Sequence, residues 1–134
     1  RNRIPMKLFS HSDYINKALD ASWLRNEVIA NNISNVDTPN FKSSKVEFEA
    51  ELKKAMSSDT VQMKQTRSKH INISSSFEPQ VVQNEDTTVR MDGNNVDMES
   101  EQLNMVKNTI YYNTMVQKIS KEFGRLKVAI NGGK

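Results

Sequence analysis

Few residues of this chain have types and spacing that could do chemistry. Its two histidines, His11 and His70, lie far apart and have no acidic or thiol partner at the spacing of a metal site. Cysteine is absent, which excludes disulfides and thiolate ligands. The alternating carboxylates Glu47, Glu49 and Glu51 are explained by a solvated face, and no glycine-rich phosphate loop occurs. We therefore expect no catalytic residue, no metal and no cofactor.

The composition indicates a thin core and a partner other than nucleic acid. Only 36% of the 134 residues are hydrophobic, and the length fits one compact domain or a small domain with extended arms. Basic and acidic side chains are mixed along the chain, so the electrostatic footprint of a nucleic-acid-binding protein is missing. No apolar run reaches the length of a signal peptide or a membrane span, so we expect no cleaved secretion signal and no membrane insertion.

The last third of the chain, Asp97 to Ile130, predicts one long helix. Apolar residues recur there in alternating steps of four and three, which is typical of a helix that packs lengthwise on other helices. Asp97 is a suitable N-cap, and Asn131-Gly132-Gly133 is a suitable stop. The predicted stripe consists of Met98, Gln102, Met105, Thr109, Tyr112, Val116, Ile119, Phe123, Leu126 and Ile130.

A second amphipathic helix is predicted near the N-terminus. A capping-box pattern at Ser10 and Asp13 favours a start there, and a polar tract favours an end near Asn35. Trp23 lies off the main stripe, and two interpretations stay open: a ring partly buried beside the helix interface, or an anchor into a neighbouring subunit. The stripe itself contains Ile15, Ala18, Leu19, Ser22, Ile29, Ala30 and Ile33.

The middle of the chain predicts a small, irregular segment that contains β structure. The stretch around Val46 and Phe48 fits a strand or a helix, and residues 50–56 favour a helix. Short β-like fragments follow at Thr60–Met63, His70–Ile73, Val81–Val82 and Thr87–Met91. The predicted fold is therefore mainly α. Its terminal helices, within residues 1–42 and 97–134, pair as a coiled-coil-like rod domain, and residues 43–96 form the middle segment.

The two predicted helices differ in length, and this mismatch favours assembly. Packed together, they would leave apolar side chains without cover, so we expect helices that are marginal in a monomer and order on packing with other subunits. A filament subunit, a coiled-coil adaptor and a secretion chaperone all fit at this point. The surplus apolar residues are Phe123, Leu126 and Ile130 at the end of the stripe, and Leu103, Val106, Ile110 and Met115 beside it.

Three segments resemble motifs of one protein family. Residues 30–42 resemble the N-terminal signature ANNIxNxxTPxYK of the flagellar rod and hook proteins, and residues 92–99 and 66–71 resemble its proximal-rod branch. Phe41 stands where the signature usually has Tyr, and Asn40 stands where Gly is frequent; Asn tolerates the left-handed backbone that Gly would supply. The motif residues of the first two segments are Ala30, Asn31, Asn32, Asn35, Thr38, Pro39, Phe41, Lys42, Asp92, Gly93, Asn94, Asn95, Val96 and Asp97.

The resemblance implies a structural subunit of the bacterial flagellar basal-body rod, the drive shaft that joins the MS-ring to the distal rod and hook. It implies export by the flagellar type III apparatus and polymerisation through the terminal helices. The implied location is outside the cytoplasmic membrane, periplasmic where the host has an outer membrane. The implied partners are further copies of the chain, other rod proteins, and the MS-ring with its adaptor protein.

Two alternatives stay open at this stage: another rod subunit of the FlgC type, and a cytoplasmic coiled-coil adaptor or secretion chaperone. In either rod interpretation, the terminal helices carry the assembly interfaces. The expected interface residues are Ile15, Leu19, Trp23, Ile29, Ile33, Met105, Tyr112, Val116, Ile119, Phe123, Leu126 and Ile130.

Overall fold

Two long helices flank a small two-stranded sheet in the computed structural model, which describes residues 7–54, 78–85 and 90–132. The sheet is antiparallel, and it pairs Ser44 with Gln83 and Glu47 with Gln80. The fold is mainly α, as predicted. In chain order the elements are α1 (Lys7–Ser34), β1 (Ser44–Glu47), α2 (from residue 49, described to residue 54), β2 (Gln80–Gln83) and α3 (Met98–Ile130).

The β-like fragments predicted for the middle segment have different outcomes. Strand β2 contains the fragment predicted at Val81–Val82, and β1 contains Val46. Residues 90–91 of the fragment predicted at 87–91 form a bend and a turn, so that prediction is wrong for the part described. The helix favoured at 50–56 begins at residue 49. The fragments predicted at 60–63 and 70–73, and the family resemblance at 66–71, lie outside the described residues.

Helix α1 begins earlier than predicted and ends where expected. It spans 28 residues and already runs through Ser10 and Asp13, so a capping box at those residues is wrong. No Pro or Gly lies between Lys7 and Asp13 to prevent the extra turn. At the other end, the Asn35 side-chain Nδ2 donates to the Asn31 carbonyl at 2.8 Å. Such local side-chain bonds compete with continued helix, which explains the stop.

Helix α3 begins and ends as predicted. The Asp97 carboxylate accepts hydrogen bonds from the backbone N–H groups of Glu99 and Ser100, at 3.1 and 3.4 Å. Asn131 is the C-cap, and Gly132 follows with a left-handed φ of 66°. With 33 residues, the helix is about 50 Å long at 1.5 Å per residue.

The two long helices pack antiparallel, and the core lies on one side of the pair. Hydrogen bonds join Ser22 to Asn108 and Asn32 to Glu101, so rising numbers in α1 meet falling numbers in α3. The small residues Ala18 and Ala21 let Val46 and Phe48 approach α1 closely. Partly buried around this cluster are Leu24, Val28, Leu52, Tyr111 and Met115.

Replacing the central ring of this core should destabilise the fold. Phe48 is 1% exposed, and Phe48→Ala should lower the free energy of unfolding by about 3–5 kcal/mol because a cavity replaces the ring. Val81 is 52% exposed, so Val81→Ala is the control and should change it by less than about 0.5 kcal/mol. Urea denaturation followed by circular dichroism measures both. Equal effects would place the core elsewhere.

Candidate functional site

The two best-matched motif segments meet at one end of the helix pair, and Asn94 lies at their centre. Its side chain is fully buried, and Nδ2 donates to the carbonyls of Asn35, Val36 and Thr38 at 2.8, 2.9 and 2.8 Å. Those carbonyls belong to the chain that leaves α1. All three lie beyond Ser34, the last residue of α1, so a distant loop holds the turn that follows the helix.

Asn32, also fully buried, joins the end of α1 to strand β1. Its side-chain Nδ2 donates to the Ser44 carbonyl at 2.8 Å, and its Oδ1 accepts from the Ser44 N–H at 3.0 Å. The amide therefore pairs with Ser44 as a neighbouring strand would. The same Nδ2 also donates to Glu101 at 3.2 Å, which connects this joint to α3.

Asn95 joins the loop before α3 to the residue just before β1 and the residue just after β2. Its Oδ1 accepts from the Ser43 N–H at 2.6 Å, and its Nδ2 donates to the Asn84 carbonyl at 2.9 Å. Each of these side-chain amides both donates and accepts hydrogen bonds, as a peptide group does. Their partners are remote in sequence, so the three amides hold distant segments together. We call the residues Asn32, Asn94 and Asn95 the asparagine clamp.

Two left-handed residues shape the loops beside the clamp. Asn40 has a φ of 59°, which confirms the conformation expected for it, and Gly93 has a φ of 80°. The Asn40 N–H donates to the Asp92 carbonyl at 2.8 Å, and the Lys42 ammonium donates to the Gly93 carbonyl at 2.8 Å. A Cβ on Gly93 would collide with the Asn40 side chain. Position 93 therefore requires glycine for its backbone and for its lack of a side chain.

Arg90 adds positive charge at the same end of α1. Its Nη1 donates to the Val36 carbonyl at 2.7 Å, and its Nη2 pairs with Asp92 at 3.1 Å. A cation is favourable at the negative end of a helix dipole. Among the other motif residues, Val96 is buried, Phe41 is half-buried, and the exposed ones are Ala30, Asn31, Thr38, Pro39 and Asp97.

A buried polar pair lies in the middle of the α1–α3 interface. Ser22 is 0% exposed and Asn108 is 5% exposed. The Ser22 hydroxyl donates to Asn108 Oδ1 at 3.0 Å, and Asn108 Nδ2 donates to the Ser22 carbonyl at 2.9 Å. Asn108 is the one residue of α3 that is buried in the described chain. Sequence analysis missed it because Asn108 is polar and lies outside the predicted apolar stripe.

Helix α3 turns a different row of residues toward α1 than the stripe predicted. Half-buried residues of the predicted stripe form a spine along the interface. The other residues of α3 that face α1 each precede a residue of the predicted stripe by one position. The spine is Met98, Met105, Ile119 and Leu126, with Tyr112 beside it at 37% exposure. The inner row, turned toward α1, is Glu101, Asn108, Met115 and Glu122. The outer row, predicted to be packed but exposed in this chain, is Gln102, Thr109, Val116, Phe123 and Ile130.

The polar contacts explain this correction. Apolar periodicity alone favours the outer row, because Val116, Phe123 and Ile130 are its members. The hydrogen bonds of Asn108 and Glu101 to α1 instead hold the inner row in the interface. The two rows are about 100° apart around the helix.

The outer row shares one side of the helix pair with two residues of α1. Counting about 100° per residue from Ser22 and from Asn108, Trp23 and Thr109 fall on the side away from the Val46–Phe48 core. Trp23 is 61% exposed, and Leu19 is half-buried. We call Leu19, Trp23, Tyr112 and the outer row the open face.

Other predicted interface residues lie within the chain or on another surface. Ile15 and Ile29 are buried, and Ile33 is half-buried. Of the surplus apolar residues, Met115 packs on the core and Leu126 is half-buried. Those that stay exposed are Leu103, Val106, Ile110, Phe123 and Ile130. The assembly role of all these side chains stays a prediction.

One charged cluster lies next to the core. The Arg25 guanidinium lies 4.6 Å from the centre of the Phe48 ring and pairs with Glu49 at 2.7 Å. Burial, and then the charge of Glu49, raise the pKa of the Tyr111 phenol, while Arg25 opposes the shift. Tyr111 packs edge-on against Phe48 at 6.0 Å between ring centres. Burial and the Glu49 carboxylate therefore favour the neutral phenol beside the core.

The described residues contain neither a metal cluster nor a membrane span. Within 7–54, 78–85 and 90–132, no three His, Asp or Glu side chains converge as ion ligands. In the same ranges, every helix is too short or too polar to cross a bilayer. Of the two histidines, His70 lies outside the described residues. Two features of the described residues stand out: the asparagine clamp, which joins segments remote in sequence, and the open face, which is a surface of the helix pair.

Similarity to known proteins gives this arrangement a class. The family model described as "Flagella basal body rod protein" matches residues 17–42, which run from the middle of α1 through the segment bound by the clamp. This match indicates the class of flagellar basal body rod proteins.

Relatives that align over most of the chain specify the family. The chain is 34% identical over 131 residues to the flagellar basal body rod protein FlgB of Bacillus subtilis, covering 96% of this chain and 100% of that one. It is 34% identical over 126 residues to FlgB of Borreliella burgdorferi (88% and 93% covered) and 31% over 134 residues to FlgB of Proteus mirabilis (95% and 98%). The chain belongs to the FlgB family of flagellar basal body rod proteins.

Membership confirms the family resemblance and gives the chain a place in the cell. It is a structural protein of the bacterial flagellum, located in the rod of the basal body. The relatives carry the FlgB name, so they favour this branch over the FlgC type and over an adaptor or chaperone.

The loop beside the asparagine clamp should be destabilised by one methyl group added at position 93. Gly93→Ala should lower the free energy of unfolding by about 1–3 kcal/mol, because alanine is strained at this φ and meets Asn40. Gly124→Ala is the control: nothing lies within 4 Å of a Cβ at this position in α3, and alanine there should raise it by up to about 1 kcal/mol. Thermal unfolding of the helical signal measures both. If both substitutions changed the free energy of unfolding in the same direction, the requirement for glycine at position 93 would be contradicted.

Proposed function

We propose that this rod subunit polymerises through its open face and has no catalytic role. The observation that carries the proposal is the exposure of Trp23, Val116 and Phe123, at 61%, 37% and 56%, while α1 and α3 are already paired. Apolar side chains grouped on one surface are typical of a binding site for another protein. A subunit of this kind binds a neighbour without giving up its own helix pair.

In this proposal the terminal segments, residues 1–42 and 97–134, form the assembling domain. The middle segment, residues 43–96, lies to its side, and the clamp holds the two parts together. A heterologous contact between the open face and a different surface of the next subunit does not close into a ring, so it propagates as a helical array. Each fully covered large apolar side chain contributes about 1.5–3 kcal/mol to such a contact.

The proposal also includes export and partners. The chain would pass unfolded through the flagellar type III apparatus and then join further copies, other rod proteins, and the MS-ring with its adaptor protein. No nucleic acid and no insertion into a membrane take part. The small core supports export of the unfolded chain, because little buried apolar area is lost when the subunit unfolds. The buried apolar residues of the described chain are Ile15, Ala18, Ala21, Ile29, Val46, Phe48 and Val96.

A charge on the open face should block assembly while sparing the fold. Phe123→Asp places a carboxylate where the proposal puts an apolar contact, so the variant should stay soluble and helical but be missing from isolated basal bodies. Gln117→Asp is the control, because Gln117 is exposed on the side of α3 away from α1. Swimming motility, basal-body immunoblots and circular dichroism of the purified protein measure the three properties.

Two results would contradict the proposal. Normal motility and normal incorporation of the Phe123→Asp variant would show that the open face is not an assembly surface. An equal loss with Gln117→Asp would show that added charge, and not its position, disturbs the rod.

A further inference from the structure

We propose that the buried Ser22–Asn108 pair selects which row of α3 receives α1, and so keeps the outer row available to a neighbouring subunit. The inference rests on the proposed function in one respect, because that function makes the outer row a binding surface. The selection itself is a property of the single chain and can be measured without any rod.

The first step is that apolar burial by the two rows alone favours the opposite facing, although Tyr111 and Met115 pack on the core in the observed one. The inner row contains the polar residues Glu101, Asn108 and Glu122, and its one apolar residue is Met115. The outer row contains Val116, Phe123 and Ile130 beside the polar Gln102 and Thr109. If burial alone decided, α1 would cover the outer row, since each large apolar side chain gains by leaving water.

The second step is that Asn108 is satisfied by one register of α1. Its amide uses both the hydroxyl and the carbonyl of Ser22. A slide of α1 by one turn would bring Ala18 or Asn26 to this level. Ala18 has no side-chain hydrogen-bonding group, and Asn26 is larger than the space that Ser22 fills. With Ala18 at this level, Asn108 Oδ1 would lose its hydroxyl donor, and a buried acceptor without a partner is costly. With Asn26, the larger side chain would force the helices apart, so both slides are disfavoured.

The third step is a second polar contact on the same row. Glu101 accepts from Asn32 at 3.2 Å, seven residues before Asn108 along α3. Asn32 is itself fixed by its two bonds to Ser44. Register and facing are therefore defined at two points, as a buried asparagine defines register in coiled coils. The spine residue Met105 lies between these points and is left half-buried, open to contact from a second helix.

The absence of cysteine gives a clean test of this selection. Ala18 and Met115 pack in the same core cluster from opposite helices, so the Ala18→Cys/Met115→Cys pair should report the native facing as a disulfide within one chain. Helices that choose other partners should give disulfides between chains. Non-reducing gels separate the two products, and sedimentation gives the oligomeric state.

The two cysteine substitutions are introduced together into three backgrounds: wild type, Ser22→Ala/Asn108→Leu, and Thr109→Leu. The double substitution removes both polar partners and replaces them with apolar groups, so helicity should be kept. The ratio of intrachain to interchain disulfide should fall about tenfold in it, because the buried polar pair no longer favours one facing. Thr109→Leu, on the outer row at the same level, should leave the ratio within about twofold of wild type.

An unchanged ratio in the helical double variant would overturn the inference. If circular dichroism shows that this variant is unfolded, Ser22→Ala alone decides, and the ratio should then fall by a few-fold. This outcome can be told apart from that of the assembly test. If the rod tolerates Phe123→Asp, the open face is not the assembly surface, but the disulfide ratios stay as predicted.

Discussion

The contact between the Asn94 side chain and three carbonyls of the chain leaving α1 is the one on which the rest of the structure depends. It brings together two segments separated by the whole middle of the chain. Without it, the bonds of Arg90, Asn40 and Lys42 and the strands would still join the end of α1 to the start of α3, but the buried centre of this contact would be missing. With it, the two helices leave a common joint at a fixed place, and their antiparallel packing follows. Asn32 and Asn95 extend the joint to the sheet.

Amides suit this position because each one donates and accepts like a peptide group. A side-chain amide can therefore complete a helix end or a strand edge from outside the element. The three carbonyls also accept other hydrogen bonds, from the Thr38 N–H, the Arg90 guanidinium and the Phe41 N–H. Asn94 therefore adds donors from a distant loop to this turn, which an apolar residue could not do. The buried polar residues of the motif segments are thus explained by hydrogen bonds within the subunit, whereas the proposed binding surface lies elsewhere, on the open face.

Local features were predictable from the sequence, and contacts across the chain were not. The Asp97 cap, the Asn131-Gly132 stop and the left-handed Asn40 depend on neighbouring residues alone, and all are confirmed. The facing of α3 depends on Asn108, whose partner lies 86 positions away. A periodic stripe records which residues are apolar, but α3 has two rows flanking one spine, and polar contacts decide between them. The family motif identified the clamp residues without revealing how they bond.

The central claim is that α3 has an inner row covered within the subunit and an outer row covered only in the rod. Maleimide labelling of single cysteines tests it directly, because the chain has no cysteine of its own. Met115→Cys reports the inner row and Val116→Cys the outer row. The account predicts that Val116→Cys is labelled quickly in the monomer and is protected in isolated basal bodies, while Met115→Cys is labelled slowly in both. Equal labelling of Val116→Cys in the monomer and the assembled rod would contradict it.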